Sequence, residues 1–101
     1  MLLEMRSSPL QLVYPGLFAH WCPGCGCAHM LEISSIQADE RRLGFDGDVR
    51  CPSFEPDIVR VDRNGKFCRY SIKAGRVRYD RECTHALAGK TIDLPDFPVT
   101  P

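Results

Sequence analysis

The chain has 101 residues, its 13 basic and 13 acidic side chains cancel, and its 44% hydrophobic content is ordinary for a folded globular protein. This length predicts one domain over residues 1–101, with flexible ends at 1–9 and 98–101, and the neutral charge argues against nucleic-acid or membrane partners. No apolar run approaches the about 20 residues that cross a bilayer, and charged residues interrupt the N-terminal apolar stretch, so we expect a cytoplasmic protein without a signal peptide.

The N-terminal third predicts a hairpin. Residues 10–14 alternate weakly and predict an edge strand that is closed by Pro15-Gly16. Residues 17–21 lead into the segment Cys22-Pro-Gly-Cys25, and residues 28–34 lead out of it. This order of strand, knuckle and strand is typical of a zinc hairpin.

The middle of the chain predicts a three-stranded antiparallel meander over residues 57–63, 66–72 and 76–80. Asn64-Gly65 joins the first two strands, and this dipeptide favours a type I′ turn because both central positions need positive φ. Side chains alternate across a sheet, so Cys68, Tyr70 and Ile72 are expected on one face.

The remaining segments are less regular. Residues 37–50 predict a loop with a turn at Asp46-Gly47, and residues 85–88 predict a short helix that Thr84 caps and Gly89 stops. The predicted fold is therefore a small β-rich domain, with a minor α+β character, made of a zinc-knuckle hairpin, a three-stranded meander and one short helix.

Six cysteines in a chain without a signal peptide indicate metal binding rather than disulfides, because the cytosol keeps thiols reduced. Cys22 and Cys25 can reach one ion because Pro23 presets the turn between them and Gly24 and Gly26 tolerate positive φ. Zinc prefers four ligands in tetrahedral geometry, so two further ligands must come from distant elements. Iron also accepts four thiolates, but its sites usually have a second Cys-x-x-Cys pair, which the sequence lacks, so we predict zinc.

The preferred ligand set is Cys22, Cys25, Cys68 and Cys83, and a close alternative replaces Cys68 with His85. Cys27 and Cys51 have no partner at ligand spacing and are expected to be spare thiols.

Four segments carry a resemblance to a known family. They are WCPGCGCAH at 21–29, FDGDVRCPSFEPDIV at 45–59, CRYSI at 68–72 and ECTHALAGKTIDLPDF at 82–97. In this order the chain resembles a family of small phage and bacterial proteins over residues 18–97. Some relatives lie in bacterial ubiquitination-like operons, where they are proposed to act as peptidases that trim a ubiquitin-like protein at its C-terminus or remove it from a target. The resemblance implies a protein partner, with a ubiquitin-like protein as the candidate.

The chain departs from the family pattern at three positions. Arg69 stands where relatives often have His, Asp57 where Ser is common, and Glu82 where Asp is usual. If the peptidase chemistry of the family used that histidine or that serine, this chain would lack it.

Two function hypotheses follow from the sequence. The first is a peptidase in which His29 and His85 are the candidate catalytic residues beside the metal, or in which Ser53 or Ser71 is a nucleophile. The second is a non-catalytic module, similar to a zinc ribbon, in which a closed metal site stabilises a surface for protein interaction. The sequence leaves open whether the protein is an enzyme.

Overall fold

The computed structural model describes residues 8–33 and 43–98. The predicted flexible ends fall mainly on residues 1–7 and 99–101, outside this part of the chain, as do residues 37–42 of the predicted loop. Within the described ranges, no helix is long and apolar enough to span a bilayer.

The described residues form three antiparallel sheets, which confirms the β-rich prediction. The first sheet has the order β1-β2-β3, with β1 at Gln11–Tyr14, β2 at Leu17–Cys22 and β3 at Cys27–Glu32. The second pairs β4 (Gly44–Phe45) with β5 (Phe54–Glu55). The third has the order β6-β7-β8-β9, with β6 at Ile58–Val61, β7 at Phe67–Lys73, β8 at Arg76–Tyr79 and β9 at Thr91–Asp93.

The third sheet is the predicted meander with one strand added. The C-terminal segment β9 pairs with β8 and places Ile92 opposite Val77. On β7, Cys68, Tyr70 and Ile72 are all buried, as the alternation predicts. This inner face packs against the hairpin of β2 and β3 in one core cluster that includes Leu31. The guanidinium of Arg60 on β6 also donates a hydrogen bond to the carbonyl of Met30 on β3.

The predicted helix at residues 85–88 is wrong, because this segment is a series of turns. The Ala88 amide bonds to the carbonyl of His85, three residues back, but the Leu87 amide bonds to Nδ1 of the His85 ring. The Gly89 amide bonds to the distant carbonyl of Asp80. Four residues give too few helical hydrogen bonds to offset the cost of nucleating a helix, so these competing partners win.

The turn at Asn64-Gly65 also differs from the type I′ prediction, because only Gly65 has positive φ, at 80°. The Gly65 amide bonds to the carbonyl of Asp62, and the Asp62 carboxylate accepts hydrogen bonds from the amides of Asn64 and Lys66. This aspartate therefore organises the turn in place of a second left-handed residue.

Candidate functional site

Three thiols and one imidazole meet between the hairpin and the third sheet. Cys22 ends β2, Cys25 lies in the turn after it, Cys68 lies on β7, and His85 comes from the turns after β8. Their ligand atoms all lie within 4.8 Å of one another. Sγ of Cys68 is 3.2 Å from Nε2 of His85. We call these four residues the Cys/His cluster.

The turn between Cys22 and Cys25 is shaped to admit His85. A Cβ atom on Gly24 would overlap the imidazole of His85, so this position needs glycine for close approach rather than for positive φ. Gly26 has φ of 70°, and its amide bonds to the carbonyl of Cys22 at 2.8 Å. The Cys25 amide donates to Sγ of Cys22 at 3.4 Å, as amides of such turns do in metal sites.

The cluster can hold a metal ion. Its chemistry fits a tetrahedral site, because three sulfur donors and one imidazole nitrogen are a common structural donor set for zinc. Cys22 and Cys68 are buried, and Cys25 and His85 are partly buried, so a bound ion would be largely shielded from solvent.

Proton affinities within the cluster are unequal. Hydrogen bonding to the Cys68 thiol, with a further contribution from the Tyr79 hydroxyl, lowers the pKa of Cys22 to about 4 against the cost of burial. Burial raises the pKa of Cys25 to about 11, and the Cys22 thiolate raises the pKa of Cys68. These directions favour Cys22 as the thiolate of the cluster, and metal binding must displace protons from the other thiols.

The structure brings Cys22, Cys25 and Cys68 of the expected ligand set together, with His85 as the fourth member. Cys83 lies outside this cluster, where its thiol donates to the carbonyl of Arg69 at 3.2 Å and accepts from the Arg69 amide. Cys27 and Cys51 are exposed and are not members of the cluster.

A hydrogen-bonded triad lies next to the cluster. The Tyr70 hydroxyl is 2.5 Å from Nε2 of His20 and 2.8 Å from Nδ1 of His29. Because a hydroxyl has one proton, it can donate to one imidazole while it accepts from the other. Burial is the main cause that lowers the pKa of His20 to about 3, and burial also lowers the pKa of His29. Both rings are therefore neutral at neutral pH.

This triad gives His29 a setting that the sequence did not suggest. His29 lies opposite His20 in the register of β2 and β3, and both rings point towards Tyr70 on the inner face of β7. The signal in the sequence that pointed to this contact was the alternation along β7, which puts Tyr70 on the same face as Cys68. The second candidate catalytic residue, His85, lies in the Cys/His cluster itself.

The outer face of the third sheet has a polar cavity of about 390 Å³, which we call the outer pocket. Its polar lining consists of Asp57, Arg69, Ser71, Arg78, Asp80 and Arg81. Oδ2 of Asp57 is 3.6 Å from Nε of Arg69, and each side chain is about half exposed, at 50% and 47%. The two positions at which the resemblance implies a common Ser and a frequent His are thus in contact.

None of the described serines is hydrogen bonded to a histidine. The Ser53 hydroxyl accepts a hydrogen bond from the Ala74 amide at 2.7 Å, which supports the turn between β7 and β8. Ser71 lines the outer pocket among charged side chains. In residues 8–33 and 43–98, no serine hydroxyl is hydrogen bonded to an imidazole, so these ranges have no assembled serine–histidine pair.

Comparison with known proteins identifies the family. No curated protein and no solved structure matches the chain significantly. A family model does match residues 5–80, a range that includes both strands of the hairpin, the Asp57–Arg69 pair and three of the four cluster residues. This match supports the predicted link to bacterial ubiquitination-like systems. The chain belongs to the family described as bacterial ubiquitination-like system serine protease (BubE).

Proposed function

We propose that this chain recognises a ubiquitin-like protein on a zinc-stabilised peptidase scaffold and does not cleave it through a serine nucleophile. The observation that carries the proposal is the contact between Asp57 and Arg69. The resemblance places a serine and a histidine at these two positions in many relatives, and the contact makes neighbours of Asp57, just before β6, and Arg69 on β7. We infer that they are the serine–histidine pair of the active relatives.

The substituted pair cannot perform the same chemistry. Asp57 has no hydroxyl to acylate, and the Arg69 guanidinium stays protonated, so it cannot accept a proton as a general base. The ion pair instead keeps both side chains in place on the outer face. The scaffold is retained while the reacting groups are replaced.

Zinc is the metal that we propose for the Cys/His cluster. Three thiolates with one imidazole suit zinc, and four protein ligands leave no open coordination position. Bound zinc would supply cross-linking rather than reactivity, because the ligands come from the knuckle, from β7 and from the turns after β8. The cluster would thus hold the hairpin against the sheet that presents the outer pocket.

The test combines binding and cleavage. Purified zinc-loaded protein is mixed with a ubiquitin-like protein from a bacterial ubiquitination-like system. Binding of the mature form is measured by calorimetry, and cleavage of a form that carries a C-terminal extension is measured by intact-mass spectrometry. We expect binding without cleavage. The double variant Asp57→Ser with Arg69→His is expected to gain cleavage, and each single variant is the matched control. Cleavage by the unaltered protein would contradict the proposal.

A second candidate function is metal-assisted hydrolysis with His29 and His85 as the catalytic residues. It is favoured by a cavity of about 230 Å³ that lies against the cluster and is lined by Cys25, Cys27, His29 and Cys68 among others. In this function the three thiolates would hold the metal, and His85 would be a catalytic residue instead of a ligand, which leaves one coordination position open. A bound metal would then supply Lewis acidity, and the neutral His29 imidazole could accept a proton from an attacking water. Cleavage by the unaltered protein that is lost in His29→Gln, with zinc content unchanged, would favour this function over the first.

A further inference from the structure

The outer pocket continues into a second cavity on the same side of the third sheet. This second cavity measures about 610 Å³, and Asp57 and Arg69 line both cavities. The second cavity also touches Pro56 and Val59. Val59 pairs with Arg69 across β6 and β7, so both side chains project from one face of the sheet. Together the two cavities form a groove with a charged end and an apolar end.

The charged end holds more positive than negative groups. Arg69, Arg78 and Arg81 line it, against the carboxylates of Asp57 and Asp80. Asp57 is paired with Arg69. Within the ranges that the structure describes, no ion pair involves Arg78 or Arg81. Two guanidinium groups are therefore available to a ligand.

The Asp80 carboxylate already has a hydrogen-bond partner within the chain, because its Oδ1 accepts a hydrogen bond from the Glu82 amide at 3.0 Å. The Asp80 amide donates to the carbonyl of Arg69 at 2.9 Å, which fixes the start of the loop against β7. The next residue in this loop is Arg81, which lines the pocket.

The apolar end is a shallow surface next to the edge strand β6. Val59 is 47% exposed and presents an apolar side chain to solvent at this end of the groove. Lys73 and Glu55 form an ion pair that borders this end of the groove. Arg69 on β7 lies between Val59 on β6 and Arg78 on β8, so an extended segment that crossed the strands from Val59 to Arg78 would pass over Arg69.

We propose that this groove binds a peptide tail that ends in a free C-terminal carboxylate. The carboxylate lies between Arg78 and Arg81, and an apolar side chain upstream of it packs on Pro56 and Val59. Guanidinium groups suit this ligand because their parallel N–H groups match the two oxygens of a carboxylate. The inference rests on the proposed function, since it names the part of the ubiquitin-like protein that is recognised.

The charge of the pocket selects a carboxylate over a phosphate. Three guanidinium groups and two carboxylates leave a single excess positive charge, which one ligand carboxylate neutralises. A phosphate group has a charge near −1.5 to −2 at neutral pH, so it would be repelled by Asp57 and Asp80 after that excess is neutralised. Inorganic phosphate is accordingly expected to compete weakly.

The experiment uses two synthetic peptides of the last about ten residues of the ubiquitin-like protein, a length that spans about 33 Å when extended. One peptide ends in a free carboxylate and the other in a carboxamide, and their affinities for the zinc-loaded protein are measured by calorimetry. We expect the carboxylate peptide to bind at least about tenfold more tightly, because charge-assisted hydrogen bonds to a guanidinium are lost in the carboxamide. Inorganic phosphate, added as a competitor, distinguishes a carboxylate site from a general anion site.

Arg78→Ala is expected to abolish the difference between the two peptides, and Arg78→Lys to restore only part of it because the bidentate fork is lost. The matched control is Arg76→Ala, which removes the same side chain two residues away on β8, outside the groove, and is expected to preserve the difference. Near-native melting temperatures identify variants that fold.

The possible results separate the two proposals. If the intact ubiquitin-like protein binds but the two peptides bind equally, the carboxylate site is overturned while the proposed function stands. If phosphate at low millimolar concentration displaces the peptide, the site is a general anion site and the inference is also overturned. If the intact protein does not bind, the proposed function and this inference fail together.

Discussion

The two faces of β7 differ in almost every physical property, although their residues alternate along one strand. On the inner face, Cys68, Tyr70 and Ile72 are buried and belong to the core cluster that also includes residues of the hairpin. On the outer face Arg69 and Ser71 line a polar pocket open to solvent. A period of two therefore lets a seven-residue strand contribute both to a candidate metal site and to a candidate recognition surface.

The contrast between the two faces of β7 indicates where substitutions are tolerated. The inner face couples distant segments, so a change there leaves buried thiols or imidazoles without partners. The outer face holds half-exposed ion pairs, which contribute little to folding. Substitutions at outer-face positions such as Asp57 and Arg69 are therefore expected to leave the scaffold intact. The following predictions test this division between stability and recognition.

The largest effect is expected from Cys25→Ser. It removes one of four donors from the Cys/His cluster, so zinc should fall from one equivalent per chain to a small fraction, as measured by native mass spectrometry. The free energy of unfolding should fall by about 5 kcal/mol or more, because the cluster connects the hairpin to the third sheet. Cys27→Ser is the control, because this thiol is exposed and lies outside the cluster. Full zinc occupancy in Cys25→Ser would rule out this site.

The next comparison separates His85 from Cys83. His85→Ala should weaken zinc binding by orders of magnitude, because it removes a ligand atom. Cys83→Ala should keep one zinc per chain and lower the free energy of unfolding by about 1–2 kcal/mol, from its lost hydrogen bonds to the Arg69 backbone and lost packing. Competition with a zinc-binding dye measures both affinities. If Cys83→Ala weakened zinc binding and His85→Ala did not, Cys83 would be the ligand and His85 would not.

Acid should destabilise the inner face through His20. Its pKa is about 3 in the folded chain against 6.5 when unfolded, so the unfolded state binds more protons between these values, and stability falls as the pH drops through 6.5. Between pH 7 and pH 5 this costs about 2 kcal/mol. Urea denaturation at both pH values measures the loss, and His20→Gln should reduce it. Loss of zinc in acid affects the unaltered protein and the His20→Gln variant alike, so the difference between their pH dependences measures the contribution of His20. Equal pH dependence of the two proteins would contradict the prediction.

The smallest effect is expected on the outer face. Asp57→Asn removes the ion pair with Arg69, in which both partners are about half exposed, and should change the free energy of unfolding by less than about 1 kcal/mol. Chemical denaturation at low and high salt measures this change, with Arg76→Ala, which breaks the exposed pair with Asp93, as a second example. A loss of several kcal/mol would show that the outer face also supports the fold.

Much of the fold could be predicted because it depends on local patterns. The hairpin, the three strands of the meander and the buried face of β7 follow from alternation and turn residues, which act over a few neighbours. The helix prediction at 85–88 failed because its amides found other partners, such as the His85 ring and the Asp80 carbonyl. Strand β9 was missed because three residues, Thr91–Asp93, carry too little periodicity to mark a strand.

By itself, the sequence determined that two thiols lie in one tight turn, that Cys68 and Tyr70 face the same side, and that several cysteines and histidines compete as ligands. Only the tertiary structure decided which residues meet. His85 and Cys83 are two positions apart in an irregular segment, where no period sets the direction of a side chain, and packing of His85 against Gly24 turns it towards the cluster. The contacts of Tyr70 with two histidines and of Asp57 with Arg69 likewise join separate segments of the chain, and their distances depend on register and sheet packing rather than on sequence spacing.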